Sequence, residues 1–239
     1  MQHPLVTHFF DEPTNTFSYI VQDPDSSVCA IIDSVLDFDY AAGRTDVRSA
    51  DKIIEYVQSN DLSVEWVLET HVHADHLSAA PYLHERLGGK TGIGEKIAVV
   101  QEGFGKAFNA GTDFARDGSQ FDRLFKEGDT FMIGNLEASV LHTPGHTPAC
   151  LTYVIGDAAF VGDTLFAPDA GTARCDFPGG DAHTLYHSIQ KVLALPGETR
   201  VFLCHDYKAA GRDEFIHETT VAEQRSSNIH VGNDISEDE

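Results

Sequence analysis

The sequence is short of positive charge. It contains 16 Lys and Arg residues against 38 Asp and Glu residues, which gives a formal net charge of -22. Grooves that bind nucleic acid are lined with clustered Lys and Arg, because these side chains neutralise phosphate groups. We therefore expect no nucleic-acid partner, and we interpret the charge as that of a strongly solvated surface.

Long hydrophobic runs and paired cysteines are also missing. No apolar run approaches the roughly 20 residues of a membrane-spanning helix, and residues 1–13 lack the basic and apolar regions of an export signal. The four cysteines, which are Cys29, Cys150, Cys175 and Cys204, contain no C-x-x-C pair. They indicate neither a zinc ribbon nor a disulfide framework. We therefore expect a cytoplasmic protein without membrane contact.

Two common enzyme motifs are absent as well. Residues 88–91 read "GGKT" and resemble the end of a phosphate-binding P-loop, but His84 stands where that motif needs its first glycine. No G-x-S-x-G nucleophile elbow occurs. The sequence thus disfavours a P-loop nucleotide hydrolase and a serine hydrolase of that type.

The apolar residues that are present alternate between two patterns. Short segments rich in β-branched and aromatic residues predict strands at residues 16–21, 28–33, 63–70, 131–143, 150–156, 158–163 and 199–205. Apolar residues spaced near 3.6 positions apart predict helices at residues 46–60, 77–87, 182–195 and 213–225. This order predicts an α/β fold with two sheets and helices outside them.

No internal repeat or low-complexity linker divides the chain, so we predict a single domain over residues 1–239. Residues 102–123, rich in Gly and Phe, predict a long loop that could act as a lid or a subunit contact. Residues 230–239 are acidic and are expected to fray. A dimer or a tetramer fits the fold, and the sequence leaves the oligomeric state open.

The densest group of metal-capable residues lies at residues 70–76, which read "THVHADH". Residues two apart in an extended segment point the same way, so His71, His73 and Asp75 could converge, followed at once by His76. One histidine in such a place is usually a hydrogen-bonded structural residue. Three histidines and an aspartate at this spacing predict a metal site.

Three later segments offer further ligands near strand ends. His146 lies in a Pro/Gly turn before a predicted strand, Asp163 closes "AAFVGD", and His205 ends "RVFLCH". Together with residues 70–76 they supply enough groups for one or two metal ions. Two ions would activate water for hydrolysis. One ion on His71, His146 and Asp163 would form the two-histidine, one-carboxylate triad of non-haem Fe(II) oxygenases.

These motifs, in this order, resemble the metallo-β-lactamase superfamily. The matching pattern runs from the H-x-H-x-D-H core through "PGHTPA" and "GD" to the histidine at position 205. The resemblance implies an αβ/βα sandwich with a metal site at one edge of two mixed sheets packed face to face. The resemblance further implies that His71, His73, His146 and Asp163 would hold one metal. The ligands Asp75, His76, His205 and the shared Asp163 would hold a second.

Within the superfamily, the chain resembles the bacterial persulfide dioxygenases. The resemblance is carried by residues 70–83, residues 162–189 and "CHDY" at residues 204–207. It implies one Fe(II) per chain, and oxidation of glutathione persulfide by O2 and water to sulfite and glutathione. The Fe(II) ligands, and hence the catalytic residues, would be His71, His146 and Asp163. The residues around them, or the ligands of an alternative second metal, would be His73, Asp75, His76, His205 and Asp206.

The alternative is a binuclear thioesterase of the glyoxalase II type, with two zinc ions or mixed metals. Those enzymes look similar through "GDTLF" but typically have Glu in place of Asp206. They also carry a C-terminal helical domain, for which the roughly 30 residues after Tyr207 are too few. We therefore expect the dioxygenase. A non-catalytic metal-stabilised binding protein and a β-lactamase are disfavoured.

An anionic substrate needs local cations on so acidic a protein. Arg174 is the first candidate for a carboxylate of glutathione, although an ion pair with Asp176 is an equal possibility. The resemblance assigns Tyr207 to the peptide of the substrate, and Lys208 is a weaker candidate. Cys175 lies beside Arg174 and is expected to be an inert thiol. The sequence does not fix which low-molecular-weight thiol carries the persulfide.

Overall fold

The chain forms fifteen strands in residues 3–238, which are the residues that the computed structural model describes. In chain order the strands are β1 (Leu5–Asp11), β2 (Thr16–Gln22), β3 (Val28–Ile32), β4 (Val35–Asp39), β5 (Arg44–Asp46), β6 (Ser63–Leu68), β7 (Leu77–Ser78), β8 (Lys90–Gly94), β9 (Arg123–Phe125), β10 (Thr130–Ile133), β11 (Leu136–His142), β12 (Leu151–Ile155), β13 (Ala158–Phe160), β14 (Arg200–Phe202) and β15 (Glu218–Thr220).

Five α-helices accompany them in the same part of the chain. They are α1 (Arg48–Ser59), α2 (Ala80–Leu87), α3 (Ile97–Ala107), α4 (Ala182–Leu193) and α5 (Val221–Ser227), and a short 3₁₀ helix spans Gly162–Thr164. In α1 the buried residues Ala50, Ile53 and Val57 recur at helical spacing, which gives the helix one apolar face. Asp181 caps α4 by accepting a hydrogen bond from the Thr184 backbone N–H at 2.7 Å.

Two six-stranded sheets carry the fold. The first has the order β1-β2-β3-β6-β8-β9 and the second β10-β11-β12-β13-β14-β15. In the first sheet, β3, β6, β8 and β9 are parallel, and α1, α2 and α3 lie in the connections between them. In the second sheet, only β13 and β14 pair in parallel. This arrangement confirms the predicted α/β sandwich of two mixed sheets with helices outside.

The main core lies between the inner faces of the two sheets. Tyr19 and Trp66 from the first sheet and Phe131, Tyr153 and Phe160 from the second belong to one buried cluster. A second cluster joins the first sheet to α1 and α2, and a third joins the second sheet to α4 and α5. The aromatic rings at the centre give the sandwich a rigid interior against which the loops at one edge are held.

Several predicted boundaries of strands and helices were wrong, because pairing between strands or a turn between them divides the predicted segments. Residues 131–143 form two strands rather than one, since Gly134, with φ of +58°, turns the chain between β10 and β11. The helix predicted at residues 213–225 begins only at Val221, because β15 pairs with β14 just before it. The helix predicted from residue 77 begins at Ala80, since Leu77 and Ser78 pair with β4 as strand β7.

The segment at residues 102–123 is not a loop throughout. Its first six residues complete α3, and its last residue begins β9. Arg116 ties the irregular part back to this helix through Glu102 at 3.1 Å. Gln101, also on α3, accepts the backbone N–H of Gly118 at 3.0 Å.

Within residues 3–238, none of the helices combines the length and the apolar character needed to cross a membrane.

Tyr19 supplies a test of the contact between the two halves of the sandwich. Its buried hydroxyl lies 2.5 Å from the carbonyl of Leu203 and 3.0 Å from that of His217. Tyr19→Phe should lower the free energy of unfolding by about 1 to 3 kcal/mol, because the buried carbonyl of Leu203 loses this donor. Urea denaturation measures the change. Tyr82→Phe, which removes an exposed hydroxyl bonded to Asp51, should change stability by no more than about 0.5 kcal/mol. Equal losses in the two variants would contradict this role for Tyr19.

Candidate metal centre

Metal-capable side chains gather where strands of both sheets end. His71 and His73 follow β6, Asp163 follows β13, and His205 follows β14. The carboxyl ends of parallel neighbours open at the same edge of a sheet, so these loops meet at one edge of the sandwich. His146 arrives from the turn between β11 and β12. The predicted ligands from four separate segments therefore lie together.

The imidazole of His71 is oriented by its neighbour Thr70. The Thr70 hydroxyl donates to Asp33 Oδ2 at 2.8 Å, so it can only accept a hydrogen from His71 Nδ1, 3.0 Å away. The proton of His71 is thereby placed on Nδ1. Its Nε2 lone pair faces Asp163, with Nε2 lying 3.8 Å from Asp163 Oδ2.

His146 is fixed in the same sense by a backbone carbonyl. Its Nδ1 donates to the carbonyl oxygen of Arg174 at 2.8 Å, and its Nε2 lies 3.4 Å from Asp163 Oδ2. The preceding Gly145 has a φ of +135°, and a Cβ there would lie 2.3 Å from the Cα of Leu185. Only glycine fits this turn, which brings the histidine to the edge of the sheets.

Asp163 lies in the 3₁₀ helix after β13, behind another obligatory glycine. Gly162 has a φ of +51°, and a Cβ there would lie 2.5 Å from the Thr70 hydroxyl oxygen. The chain therefore passes directly against the residue that orients His71. Candidate ligand atoms of His71, His146 and Asp163 all lie within 4.8 Å of one another, and the three residues are buried.

His73 is drawn towards two buried carboxylates. Its Nε2 lies 3.1 Å from Glu69 Oε2 and 3.4 Å from Asp33 Oδ1. Burial alone would lower the pKa of His73, but the hydrogen bonds to Asp33 and Glu69 raise it well above its usual value. Burial in turn raises the pKa of Glu69. The other nitrogen of His73, Nδ1, is buried without a hydrogen-bond partner.

Asp75, His76 and His205 lie on the side of the histidine cluster away from His146. His205 Nε2 lies 3.3 Å from Asp163 Oδ1 and 3.6 Å from Asp75 Oδ2. His76 donates through Nδ1 to the carbonyl oxygen of Leu77 at 2.9 Å, which leaves its Nε2 lone pair free. Burial lowers the pKa of His76 to about 3. Candidate ligand atoms of His73, Asp75 and His76 also lie within 4.8 Å of one another.

The buried atoms without hydrogen-bond partners test whether a metal fits here. They include His73 Nδ1, His76 Nε2, His205 Nε2 and Asp163 Oδ1. Buried polar atoms are rarely left unpaired, and imidazole nitrogens and carboxylate oxygens together suit zinc or iron. Burial, and then the neighbouring imidazoles, lower the pKa of His71 well below its usual value. It is therefore neutral, as a ligand must be. The donor set fits a metal ion.

Asp206 makes its contacts away from this group. It is buried and accepts from Arg212 Nη1 at 2.5 Å and Nη2 at 2.8 Å, and from the backbone N–H of Ile216 at 2.6 Å. Arg212 also bonds Asp169, in the segment that follows Asp163. In its described contacts, Asp206 therefore holds the loop after His205 in place. It does not orient one of the candidate metal ligands. Arg212 lies in no motif of the sequence, so its role in holding Asp206 is visible only in the structure.

An open cavity of about 400 Å³ adjoins the cluster. Asp163 and His146 form part of its lining, with Phe166, Phe177, Arg174 and Tyr207 around them. Tyr207 is 54% exposed. The cavity lining does not include Lys208, whose ammonium group lies 4.1 Å from the centroid of the Phe215 ring.

Arg174 lines the cavity and forms the ion pair with Asp176 that the sequence allows as an alternative to substrate binding. Its Nε and Nη2 each lie 2.6 Å from an oxygen of Asp176. The guanidinium also lies 5.0 Å from the centroid of the Phe177 ring. Both charged side chains are largely exposed, at 66% and 64%. The pair is therefore weak enough to exchange partners.

Sequence comparison identifies a family. The model of the metallo-beta-lactamase superfamily matches residues 11–205. The chain is 54% identical to a probable metallo-hydrolase of Burkholderia pseudomallei, over 98% of this chain and 83% of that protein. It is 49% identical to glyoxylase B2 of Dictyostelium discoideum, over 94% of this chain and 77% of that one. A beta-lactamase hydrolase-like protein of Agrobacterium fabrum is 53% identical over 98% of this chain, which spans about half (54%) of that protein's length.

A second group of similar proteins bears another name. The human mitochondrial persulfide dioxygenase ETHE1 is 29% identical over 94% of this chain and 74% of that protein. The crystal structure of ETHE1 from Myxococcus xanthus superposes with a TM-score of 0.77 at 30% identity. The superposition covers 98% of this chain and 87% of the Myxococcus xanthus protein.

The hydrogen bond between Thr70 and His71 can be tested by Thr70→Val, which keeps the shape and removes the hydroxyl. We expect metal affinity to fall by about 10- to 100-fold, because His71 loses the acceptor that fixes its proton on Nδ1. Competition with a chromogenic chelator measures the affinity. The control is Thr219→Val, which removes a hydroxyl of β15 that donates to Glu223 in α5, and it should leave affinity unchanged. Unaltered metal binding in Thr70→Val would refute the role assigned to this hydroxyl.

Proposed function

The chain belongs to the metallo-beta-lactamase superfamily, and from that premise we propose that it is a persulfide dioxygenase. It would bind one Fe(II) through His71, His146 and Asp163. It would oxidise glutathione persulfide with O2 and water to sulfite and glutathione. Membership of a superfamily of metalloenzymes is shown by the family match, and the donor set fits a metal ion.

The grouping of the ligand atoms is the observation that carries the proposal. His71, His146 and Asp163 form a compact buried set, whereas His73 groups with Asp75 and His76. Two histidines and one carboxylate are the ligands of non-haem Fe(II) oxygenases, which leave further coordination positions for substrate and O2. Similarity to proteins named ETHE1, one of them described as a persulfide dioxygenase, supports the same activity.

The protein's own residues prepare the site for such an ion. Thr70 and the Arg174 carbonyl hold protons on the Nδ1 atoms of His71 and His146, so that both Nε2 lone pairs face Asp163. When bound, Fe(II) supplies open coordination positions and one-electron chemistry towards O2. Its affinity for a soft sulfur donor favours a persulfide over a substrate that offers only oxygen.

The cavity explains how an anionic thiol derivative could be held. Phe166 and Phe177 provide apolar walls that keep water from the sulfur, and Tyr207 offers a hydroxyl at the rim. The guanidinium of Arg174 can exchange Asp176 for a substrate carboxylate, because a solvent-exposed ion pair is only weakly stabilising. This exchange would supply the local cation that the charge of -22 otherwise makes scarce.

A binuclear thioesterase of the glyoxalase II type is the second candidate. The observation that favours it is the set of unpaired buried atoms beyond the triad, which are His73 Nδ1, His76 Nε2 and His205 Nε2. With Asp75 they could hold a second ion, and two ions would activate water for hydrolysis. The names of the relatives at 49 to 54% identity, metallo-hydrolase and glyoxylase, are in keeping with this reading.

Metal content and oxygen consumption distinguish the two candidates. The dioxygenase should contain about one iron per chain and consume O2 only when glutathione persulfide is present. Elemental analysis and an oxygen electrode measure both properties on the same preparation. About two zinc ions per chain, with hydrolysis of S-lactoylglutathione and no oxygen uptake, would overturn the proposal in favour of the thioesterase.

The iron ligands can be tested separately. His146→Ala and Asp163→Ala should each abolish iron binding, because each removes one of three proposed ligands. His142→Ala is the control, because it removes a nearby histidine that is not a proposed ligand. The Nε2 of His142 lies 2.9 Å from the Pro148 carbonyl oxygen, in the turn that carries His146. Near-normal iron content in both ligand variants would show that the triad is misassigned.

The ion pair at the cavity predicts opposite effects for its two members. Arg174→Ala should raise KM with little change in kcat, because it removes a binding contact away from the reacting sulfur. Asp176→Asn should lower KM, because it frees the guanidinium and removes a negative charge near an anionic substrate. Steady-state oxygen uptake measures both constants. An unaltered KM in both variants would remove Arg174 from substrate binding.

A further inference from the structure

A second group of metal-capable residues lies on the outside of the second sheet. His183 and His187 are on α4, and Glu237 comes from the C-terminal segment. Glu237 Oε1 contacts His183 Nδ1, and Glu237 Oε2 lies 3.5 Å from His187 Nε2. Candidate ligand atoms of the three residues lie within 4.8 Å of one another, and all three are exposed. Neither the proposed reaction nor the buried cluster uses them.

We propose that His183, His187 and Glu237 form a surface site for a divalent transition metal of the zinc type. Two imidazoles and one carboxylate are the donors that zinc takes in three-ligand sites, with water in the remaining position. The two histidines are four residues apart, so they project from the same face of α4, one turn apart. This spacing is the one by which helical histidine pairs bind zinc.

The structure already brings the third ligand to the helix. The hydroxyl of Tyr186 donates to the carbonyl oxygen of Ile235 at 3.2 Å, so the C-terminal segment is attached to α4 next to the histidines. Val231 is buried in the cluster that joins the second sheet to α4 and α5. The carboxylate of Glu237 therefore arrives on a chain that is anchored at two points. Metal binding therefore costs less conformational entropy than it would if the segment that carries Glu237 were unattached.

Charge favours a cation at this place. The chain carries a net charge of -22, and residues 234–239 contain four of its acidic side chains. A negative mean potential raises the local concentration of cations and stabilises one that is bound. Hard alkaline-earth ions prefer sites built entirely from oxygen, so the two imidazoles select zinc and its neighbours instead.

The occupied site would join the end of the chain to the wall of a second cavity. This cavity, of about 660 Å³, is lined by His183 and Glu237 together with Cys175 and Ala173. Ala173 also lines the cavity beside the buried metal-binding cluster. Metal binding at the surface would thus hold the C-terminal segment over α4, close to the segment that carries Arg174. The inference does not depend on which reaction the buried centre performs.

Zinc titration of the full chain tests the proposal. The wild-type protein, with its buried metal content first determined, is compared with His187→Ala and Glu237→Gln by calorimetry. The variants retain the buried cluster, so any difference reports on the surface site alone. We expect one additional zinc per chain in the wild type, and binding weaker by about tenfold or more in each variant. His84→Ala, which removes an exposed histidine from α2, is the control and should match the wild type.

Hydrogen exchange supplies a structural readout. Zinc should slow amide exchange in residues 228–238 of the wild type and of His84→Ala, because the metal fastens that segment to α4. It should leave exchange there unchanged in His187→Ala. Equal zinc affinity and stoichiometry in the wild type and His187→Ala would overturn the proposal. So would a wild type that takes up no zinc beyond its buried centre. The three side chains would then share hydrogen bonds only.

Discussion

The metal-binding edge of this protein depends on one buried carboxylate, that of Asp33. It follows β3 with a φ of +52°, and its oxygens accept the backbone N–H and the hydroxyl of Thr70 at 2.7 and 2.8 Å. A buried charge is costly unless it is fully hydrogen-bonded. Asp33 therefore draws the loop after β6 into one conformation. Thr70 transmits that constraint to His71, and the contact with His73 extends it to the next imidazole.

The two sheets contribute to the site in different ways. The first supplies the histidine loop and the carboxylates beneath it, and the second supplies Asp163 and His205 from the adjacent parallel strands β13 and β14. The packing between the sheets, centred on residues such as Tyr19 and Phe160, keeps these loops in contact. Two obligatory glycines, Gly145 and Gly162, allow the backbone to approach closely enough. The stability of the sandwich and the geometry of the site are thus linked.

The sequence was sufficient to predict what is local in this arrangement. Candidate ligands at strand ends, such as His71 and Asp163, can be recognised because an apolar run stops at a residue type that can bind metal. Asp33, Glu69 and Arg212 were missed because their partners are distant in sequence or unremarkable in composition: Asp33 meets Thr70 across 37 positions. The helix boundary at Val221 and the turn at Gly134 were also missed, since strand pairing rather than periodicity sets them. Long-range pairing is the part that a single sequence does not display.

The residue types of the candidate ligands do not by themselves set how many metal ions the site binds. All of the candidate residues are close together, but they differ in what lies behind them. His71 and His146 are backed by neutral acceptors, a hydroxyl and a carbonyl, whereas His73 is backed by the buried carboxylates of Glu69 and Asp33. Partners behind an imidazole set its orientation and basicity as a ligand. His71 and His73, which are alike in the motif, therefore differ in the groups that orient them.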